Sequence, residues 1–243
     1  MVDNIFDERI AARYDYTDRA MFDKEKLDVT SSFLSDLAGS HRALEFAIGT
    51  GRVALPLQNR GVEVHGIELS QHMVSQLYAK PDAENINVVV GDMASAKVSG
   101  TFQLVYLVYN TITNLTTQDQ QVSCFKNAAS HLHAGGFFVI EDQIPSIRNL
   151  PIGTNTAVFD ASNEHIGVDK FDTVNQTVVS HHYWINDGSV EMFNSTHRYA
   201  WPAEYDLMAQ IAGLELFERW GDWDKSVFTS ESKSHISVWR KVC

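Results

Sequence analysis

The stretch ALEFAIGTGRVALPL, residues 43–57, decides the fold. A short apolar run ends in Ala47-Ile48-Gly49-Thr50-Gly51 and then takes on helical spacing. That order reads as a buried strand, a glycine turn and the first turn of a helix. Gly49 and Gly51 have the freedom to adopt positive φ or to let a ligand lie against bare backbone. The helix that follows offers unpaired N–H groups and a partial positive charge.

Working outward, strands and helices alternate. The spacing predicts a helix over 24–38, with Leu27, Thr30, Leu34 and Leu37 on one side, then strand 43–47 and helix 52–60. Pro56 inside that helix is expected near its first turn or at a small kink. Strand 62–67, helix 71–79 and strands 86–90 and 102–109 follow, then helix 117–132. Gly135-Gly136 is expected to turn the chain into strand 137–141. Such alternation predicts an α/β fold, a Rossmann-like doubly wound sheet with right-handed crossovers.

The pattern changes after residue 142. Residues 156–200 hold β-like runs around Asn186-Asp187-Gly188-Ser189, and Asp187-Gly188 is a hairpin signal. A helix over 203–212 and two closing strands, in 215–224 and 234–241, complete the chain. The expected organisation is a cover over 1–40, a ligand-binding α/β core over 41–150, an antiparallel β insertion over 151–200, and a closing helix and strands of the core sheet over 201–243.

The composition, 44% hydrophobic and 21% charged, is that of an ordinary globular protein. No apolar run approaches the roughly 18 residues that cross a bilayer. The acidic N-terminal stretch lacks signal-peptide order, so a cytoplasmic location is expected. A formal charge of −12, histidines not counted, would repel a phosphate backbone, and no basic cluster offsets it. A small-molecule partner is therefore expected rather than nucleic acid or membrane, in a monomer or homodimer. Cys124 and Cys243 suit neither a disulfide framework nor a CxxC knuckle; Cys124 is expected to be a small buried residue. The ten histidines lack HxH or HExxH spacing, so no metal is expected.

Three signals name the ligand. Glu68 ends the second strand, where a carboxylate accepts hydrogen bonds from both hydroxyls of a ribose. Asp92 follows the third strand, placed to accept from a purine amino group. With the glycine turn, they stand at the C-terminal ends of successive strands, where open α/β sheets bind ligands. AIGTGR lacks the third glycine of a dinucleotide fingerprint, and no GKS or GKT follows. Glu45 would repel a phosphate yet suits the amino group of an amino acid. The expected ligand has an adenosine end, an amino-acid end and no phosphates.

These motifs resemble the class I S-adenosylmethionine-dependent methyltransferases, small-molecule type. LEFAIGTG looks like their first motif, with Glu45, Ala47, Gly49 and Gly51 on its positions. HGIELS (65–70) resembles the second, with Glu68 and Leu69, and GDM (91–93) the third, with Asp92 and Met93 at the adenine. FQLVYLVYNTITNL (102–115) resembles the fourth, and NIFDERIAARYDYTD (4–18) a flexible cover carrying Tyr14 and Asp15. The resemblance implies S-adenosyl-L-methionine as cofactor and sheet order 3-2-1-4-5-7-6. Ala47 replaces the usual first glycine, which suits a negative φ there; Ala134 replaces the usual proline of the turn into the fifth strand.

The implied chemistry is in-line methyl transfer to an N or O atom of a small molecule, driven mainly by alignment and exclusion of water. Tyr109 and Asn110, after the fourth strand, are expected at the transfer site, Tyr109 as a cofactor contact and Asn110 orienting acceptor or cofactor. Tyr14 is expected to close over the sulfonium. The insertion concentrates histidines and aromatics: His165 and His182 are candidate bases, and Tyr183 and Arg198 candidate substrate contacts. His181 and His182 face opposite sides of a regular strand. The rivals are a nucleic-acid methyltransferase of the same fold, a nicotinamide-dependent oxidoreductase, and a non-catalytic S-adenosylmethionine-binding protein.

Overall fold

The computed structural model describes residues 6–17, 19–186 and 188–242. Its central layer is a seven-stranded sheet of β1 (Ala43–Phe46), β2 (Val64–Glu68), β3 (Asn87–Val90), β4 (Phe102–Leu107), β5 (Leu132–Gln143), β10 (Leu214–Trp220) and β11 (Ser234–Lys241). The order is β10-β11-β5-β4-β1-β2-β3. Strand β11 runs antiparallel to both β5 and β10. This is the expected doubly wound sheet, with β11, the last strand in the chain, as the reversed one.

Every residue of β1 and β2 is buried because helices cover both faces. On one face α2 (Lys24–Ala38), α3 (Ala54–Asn59) and α4 (Gln71–Tyr78) bring Leu34, Leu57 and Leu77 against Val64, Leu104 and Tyr106. On the other, α5 (Gln118–His131) and α6 (Pro202–Ile211) bring Phe125 and Met208 against Phe46, Val105 and Phe138. Cys124 is wholly buried there. The helix starts are fixed locally: Ser70 caps α4 by accepting from Met73 N, and Thr117 with Gln120 closes a capping box on α5.

Among the boundaries that differ from expectation, three have a clear backbone reason. Helix α3 starts at Ala54, so Pro56 lies in its first turn, where a missing N–H leaves no bond unmade. Strand β5 starts at Leu132, directly after α5; Gly135 has φ +80° and the register with β4 shifts here, so the glycine pair makes an irregularity inside the strand rather than a turn before it. Strand β4 stops at Leu107, because Tyr109 and Asn110 take left-handed φ of +58° and +57°.

A second sheet lies in the late part of the chain: β6 (Thr156–Ala161), β7 (His165–Asp172), β8 (Thr177–Asn186) and β9 (Ser189–Arg198), antiparallel and in sequence order. Strands β8 and β9 pair up to Asn186 and Ser189, with Gly188 at φ +79°. Asp187 of the expected hairpin signal, Cys243, and residues 4, 5 and 18 of the cover motif lie outside the described residues. No helix among the described residues is long and apolar enough to cross a membrane.

Candidate active site

The strand tips of the large sheet build the first half of the site. Glu68 ends β2 with its carboxylate split between two backbone donors: Gly49 N at 2.8 Å and Ser70 N at 2.9 Å. One side chain therefore ties the glycine turn to the start of α4. Burial raises its pKa, and those backbone bonds oppose the rise. Asp92 accepts from Ala94 N at 2.8 Å. Both carboxylates, with Ala47, Gly49, Leu69 and Met93, line a cavity of about 490 Å³, within the roughly 300–1,000 Å³ typical of small-molecule sites. Its described lining includes no Lys or Arg, so nothing there is charged to hold a phosphate.

A helix closes the cleft. In α1 (Glu8–Thr17), Asp15 accepts from Thr50 Oγ1 at 2.6 Å and pairs with Lys80 at 2.5 Å. Lys80 also donates to Thr50 O at 2.8 Å, and Ser70 Oγ donates to Phe6 O at 2.6 Å. The cover is thereby bonded to the turn it shields, and it places Tyr14 and Phe6, ring centroids 5.9 Å apart, over the opening.

A second cavity, of about 630 Å³, adjoins the first. Phe6, Tyr14, Thr111, Asn114 and Ser195 line both and form the neck between them. The second is walled by one face of the four-stranded sheet, since Val178, Ser180 and His182 alternate inward along β8. Across the register stand Asp169 on β7 and Ser195 and His197 on β9. Ser180 Oγ donates to Asp169 Oδ1 at 2.6 Å. His197 spans Ser195 Oγ at 2.9 Å and Thr113 Oγ1 at 3.4 Å, and burial lowers its pKa. Asp142, at the tip of β5, is 1% exposed. Burial pushes its carboxyl up to about 7 against hydrogen bonds from Tyr205 (2.7 Å) and Gln143 N (2.9 Å).

Most expected site residues meet here. Tyr14, Ala47, Gly49, Glu68, Leu69, Asp92 and Met93 face the first cavity, and Tyr14, Asn110 and His182 the second. Tyr109, expected as a cofactor contact, lines the second cavity and not the first, since its left-handed backbone lies past the tip of β4. Ala47 does so at φ +52°, against the negative φ expected of it; the turn keeps the shape a glycine would take and bears the strain. Tyr109 N donates to Glu141 Oε2 at 2.8 Å, and Asn110 N to Glu141 O at 3.2 Å, which holds that left-handed pair at the tip of β4.

Five expected residues line neither cavity. Glu45 points under the turn, 3% exposed, and accepts from Tyr106 Oη at 2.9 Å; burial pushes it up to about 8. Gly51, at φ +79°, is a packing position, since a Cβ there would lie 2.3 Å from Leu77 Cδ1. Arg198 is buried on the opposite face of β9, where Gln121 (2.5 Å), Glu204 (2.6 Å) and Gln176 (3.2 Å) hold its guanidinium, so it joins the insertion to α5 and α6. Tyr183 falls on the same outward face of β8 because it neighbours His182. His165 stands behind His182, at 3.0 Å. Asp142, Asp169 and Ser195 carry no sequence signal of their own, and His197 stands out only as one of the insertion's concentrated histidines and aromatics, on the face opposite Arg198. Strand alternation marks positions 178, 180 and 182 as one face, but which β7 and β9 residues stand opposite depends on a register that only pairing reveals.

Comparison with known proteins agrees with this geometry. A methyltransferase-domain family model matches residues 43–136. The chain is similar to the CcbJ methyltransferase of Streptomyces caelestis, with 33% identity, 96% of each chain covered and a TM-score of 0.85. It is 26% identical to the cypemycin N-terminal methyltransferase of a Streptomyces species, over 91% of this chain and 98% of that protein. A SAM-bound amino pentose methyltransferase from Micromonospora echinaspora, involved in calicheamicin biosynthesis, shares the fold at 18% identity and a TM-score of 0.67, with 99% of each chain covered.

Proposed function

The chain belongs to the class I S-adenosylmethionine-dependent methyltransferases, and we propose that it methylates an amine nitrogen of a small molecule held in the second cavity. S-adenosyl-L-methionine is its cofactor and supplies, when bound, a methyl group already activated by a sulfonium. The first cavity suits that molecule: two carboxylates for hydroxyl and amino donors, a bare glycine turn, and no cation for a phosphate. In this reading Glu68 holds the ribose hydroxyls, Asp92 the adenine amino group, with Leu69 and Met93 at the ring. Glu45 acts indirectly, by fixing β1 to β4 through Tyr106.

One observation carries the choice of an amine. The described lining of the second cavity includes the Asp169 side chain and the buried carboxyl of Asp142, and no Lys or Arg. An ammonium entering it gains charge-assisted hydrogen bonds, each contributing roughly 1.5–3 kcal/mol. Asp169, steadied by Ser180, anchors the cation, and Asn114 at the neck and Asn110 beside it in the second cavity orient the nitrogen. Tyr14 and Phe6 exclude water from the path between the cavities. The relatives' names support the same chemistry, since an N-terminus and an amino pentose both present amines. The overall charge of −12 disfavours a nucleic-acid substrate.

The division of labour we propose is cover (1–40), cofactor core (41–150), substrate-side insertion (151–200) and closing elements (201–243), in a cytoplasmic monomer or homodimer. The test is incubation with methyl-labelled S-adenosylmethionine and matched panels of amines, phenols and carboxylic acids. Label transfer to amines supports the reading; transfer confined to oxygen acceptors overturns it.

A further inference from the structure

Asp160, His165 and His182 form a hydrogen-bonded line from an exposed strand edge to the wall of the second cavity. Asp160 Oδ2 lies 2.6 Å from His165 Nδ1, and His165 Nε2 lies 3.0 Å from His182 Nδ1. The rings cannot wander. His165 and His182 stack with centroids 5.2 Å apart, and Trp184 stacks on both, at 4.9 and 5.2 Å. Phe159 packs edge-on against His182 at 5.3 Å, in space left by Gly167, where a Cβ would lie 2.2 Å from the Phe159 ring.

The chemistry of the donors fixes the protons. An ionised carboxylate only accepts, so His165 Nδ1 carries a hydrogen and donates to Asp160. With His165 neutral, its Nε2 has a bare lone pair and accepts from His182 Nδ1–H. His182 is left with its lone pair on Nε2, which has no hydrogen-bond partner among the described residues. Resting on the amine reading above, we propose that His182 is the general base that takes the proton of the methyl-accepting nitrogen. Asp160 and His165 are positioning residues that keep its basic nitrogen free for the cavity. The proton step balances, since an ammonium N–H bond breaks as an Nε2–H bond forms. The freed nitrogen pair then takes the methyl group as the methyl's bond to the cofactor's sulfonium breaks, that bonding pair staying on sulfur. The resulting imidazolium is steadied through His165 by the Asp160 carboxylate, and its proton passes to water when product leaves.

The surroundings agree. Burial and the neighbouring His165 lower the pKa of His182, which keeps it neutral at neutral pH. Asp169 on β7 opposes that shift, while His181 beside it and His197 on β9 add to it. The hydrogen bond from His165 holds Asp160 below the usual carboxylate range, so it is ionised there.

Two measurements on the full chain test this. In ¹⁵N-labelled protein near neutral pH, side-chain NMR is expected to show Nδ1–H on both rings, and Asp160→Asn to perturb His182 as well as His165. An Nε2–H form of His182, or a His182 signal indifferent to Asp160→Asn, overturns the proposal. With an amine that the panel shows to be methylated, His182→Gln is expected to lower kcat about 10²–10⁴-fold with KM little changed. The deficit should narrow as rising pH delivers more free amine, and Asp160→Glu should retain more rate than Asp160→Asn. A His182→Gln kcat within about threefold of the parent across the pH range overturns it. If no amine is methylated, the amine reading fails, and the ring protons still decide the histidine assignment.

Discussion

Around the first cavity, side chains are held by backbone: Glu68 accepts from Gly49 and Ser70, and Asp92 from Ala94. Around the second, side chains hold one another: Ser180 on Asp169, His165 on His182, His197 between Ser195 and Thr113. A backbone cradle tolerates little change, because the turn itself would have to move. A side-chain network on regular strands changes one residue at a time while the sheet stays put. The contrast suits a family that keeps one cofactor and varies its acceptor.

The largest effect should come from adding bulk at the cradle. Gly51→Ala combines left-handed strain with a Cβ 2.3 Å from Leu77 and should destabilise by roughly 2–5 kcal/mol in urea unfolding. Gly188→Ala, equally left-handed but with nothing within 4 Å, should lose only about 1–2 kcal/mol and keep cofactor affinity. Equal losses at the two sites would erase the contrast. Glu68→Ala should weaken S-adenosylhomocysteine by roughly 1–3 kcal/mol in calorimetry, and a folded variant with unchanged affinity would remove Glu68 from the site. Asp169→Asn should lower kcat/KM for amines about 10–30-fold while cofactor affinity holds; a matching loss of cofactor affinity would mean the two ends are not separable.

A subtler effect lies beneath the turn. Burial raises the folded-state pKa of Glu45 from 4.5 to about 8, so its stabilising contribution is complete below pH 4.5 and is lost as pH rises toward 8. Glu45→Gln keeps an acceptor for Tyr106 and should flatten this fall, which reaches up to about 1.4 kcal/mol per pH unit. Thermal unfolding from pH 5 to 8 would show parallel curves if burial of Glu45 has no such consequence. The smallest effect should be Ala47→Gly. Relief of strain at φ +52° outweighs the added freedom of the unfolded chain by under about 1 kcal/mol, and a loss of stability would contradict the strain.

The same contrast governs what the sequence discloses. The cradle is legible because its parts lie near one another in the chain and follow strand periodicity: the glycine turn, an acid at the end of β2, another after β3. The seven-stranded order follows from that alternation and from the family resemblance. Glu45, Gly51 and Arg198 look like ligand residues in one dimension, yet each serves packing or bonding that appears only when Tyr106, Leu77 and Gln121 come from distant positions. The acceptor wall is the least legible. His182 is found by its alternation, but Asp169 and His197 join it only through the pairing of β7, β8 and β9, and Asp142 only because β5 runs past the expected end of its strand.

A crystal structure with S-adenosylhomocysteine and a methylated amine tests the two-chamber arrangement most directly. Ribose hydroxyls on Glu68, sulfur at the neck beside Tyr14 and Asn114, and the amine nitrogen between that sulfur and the His182–Asp169 wall are the expected result. Adenosine lodged against the four-stranded sheet, or an amine bound outside the second chamber, would contradict it.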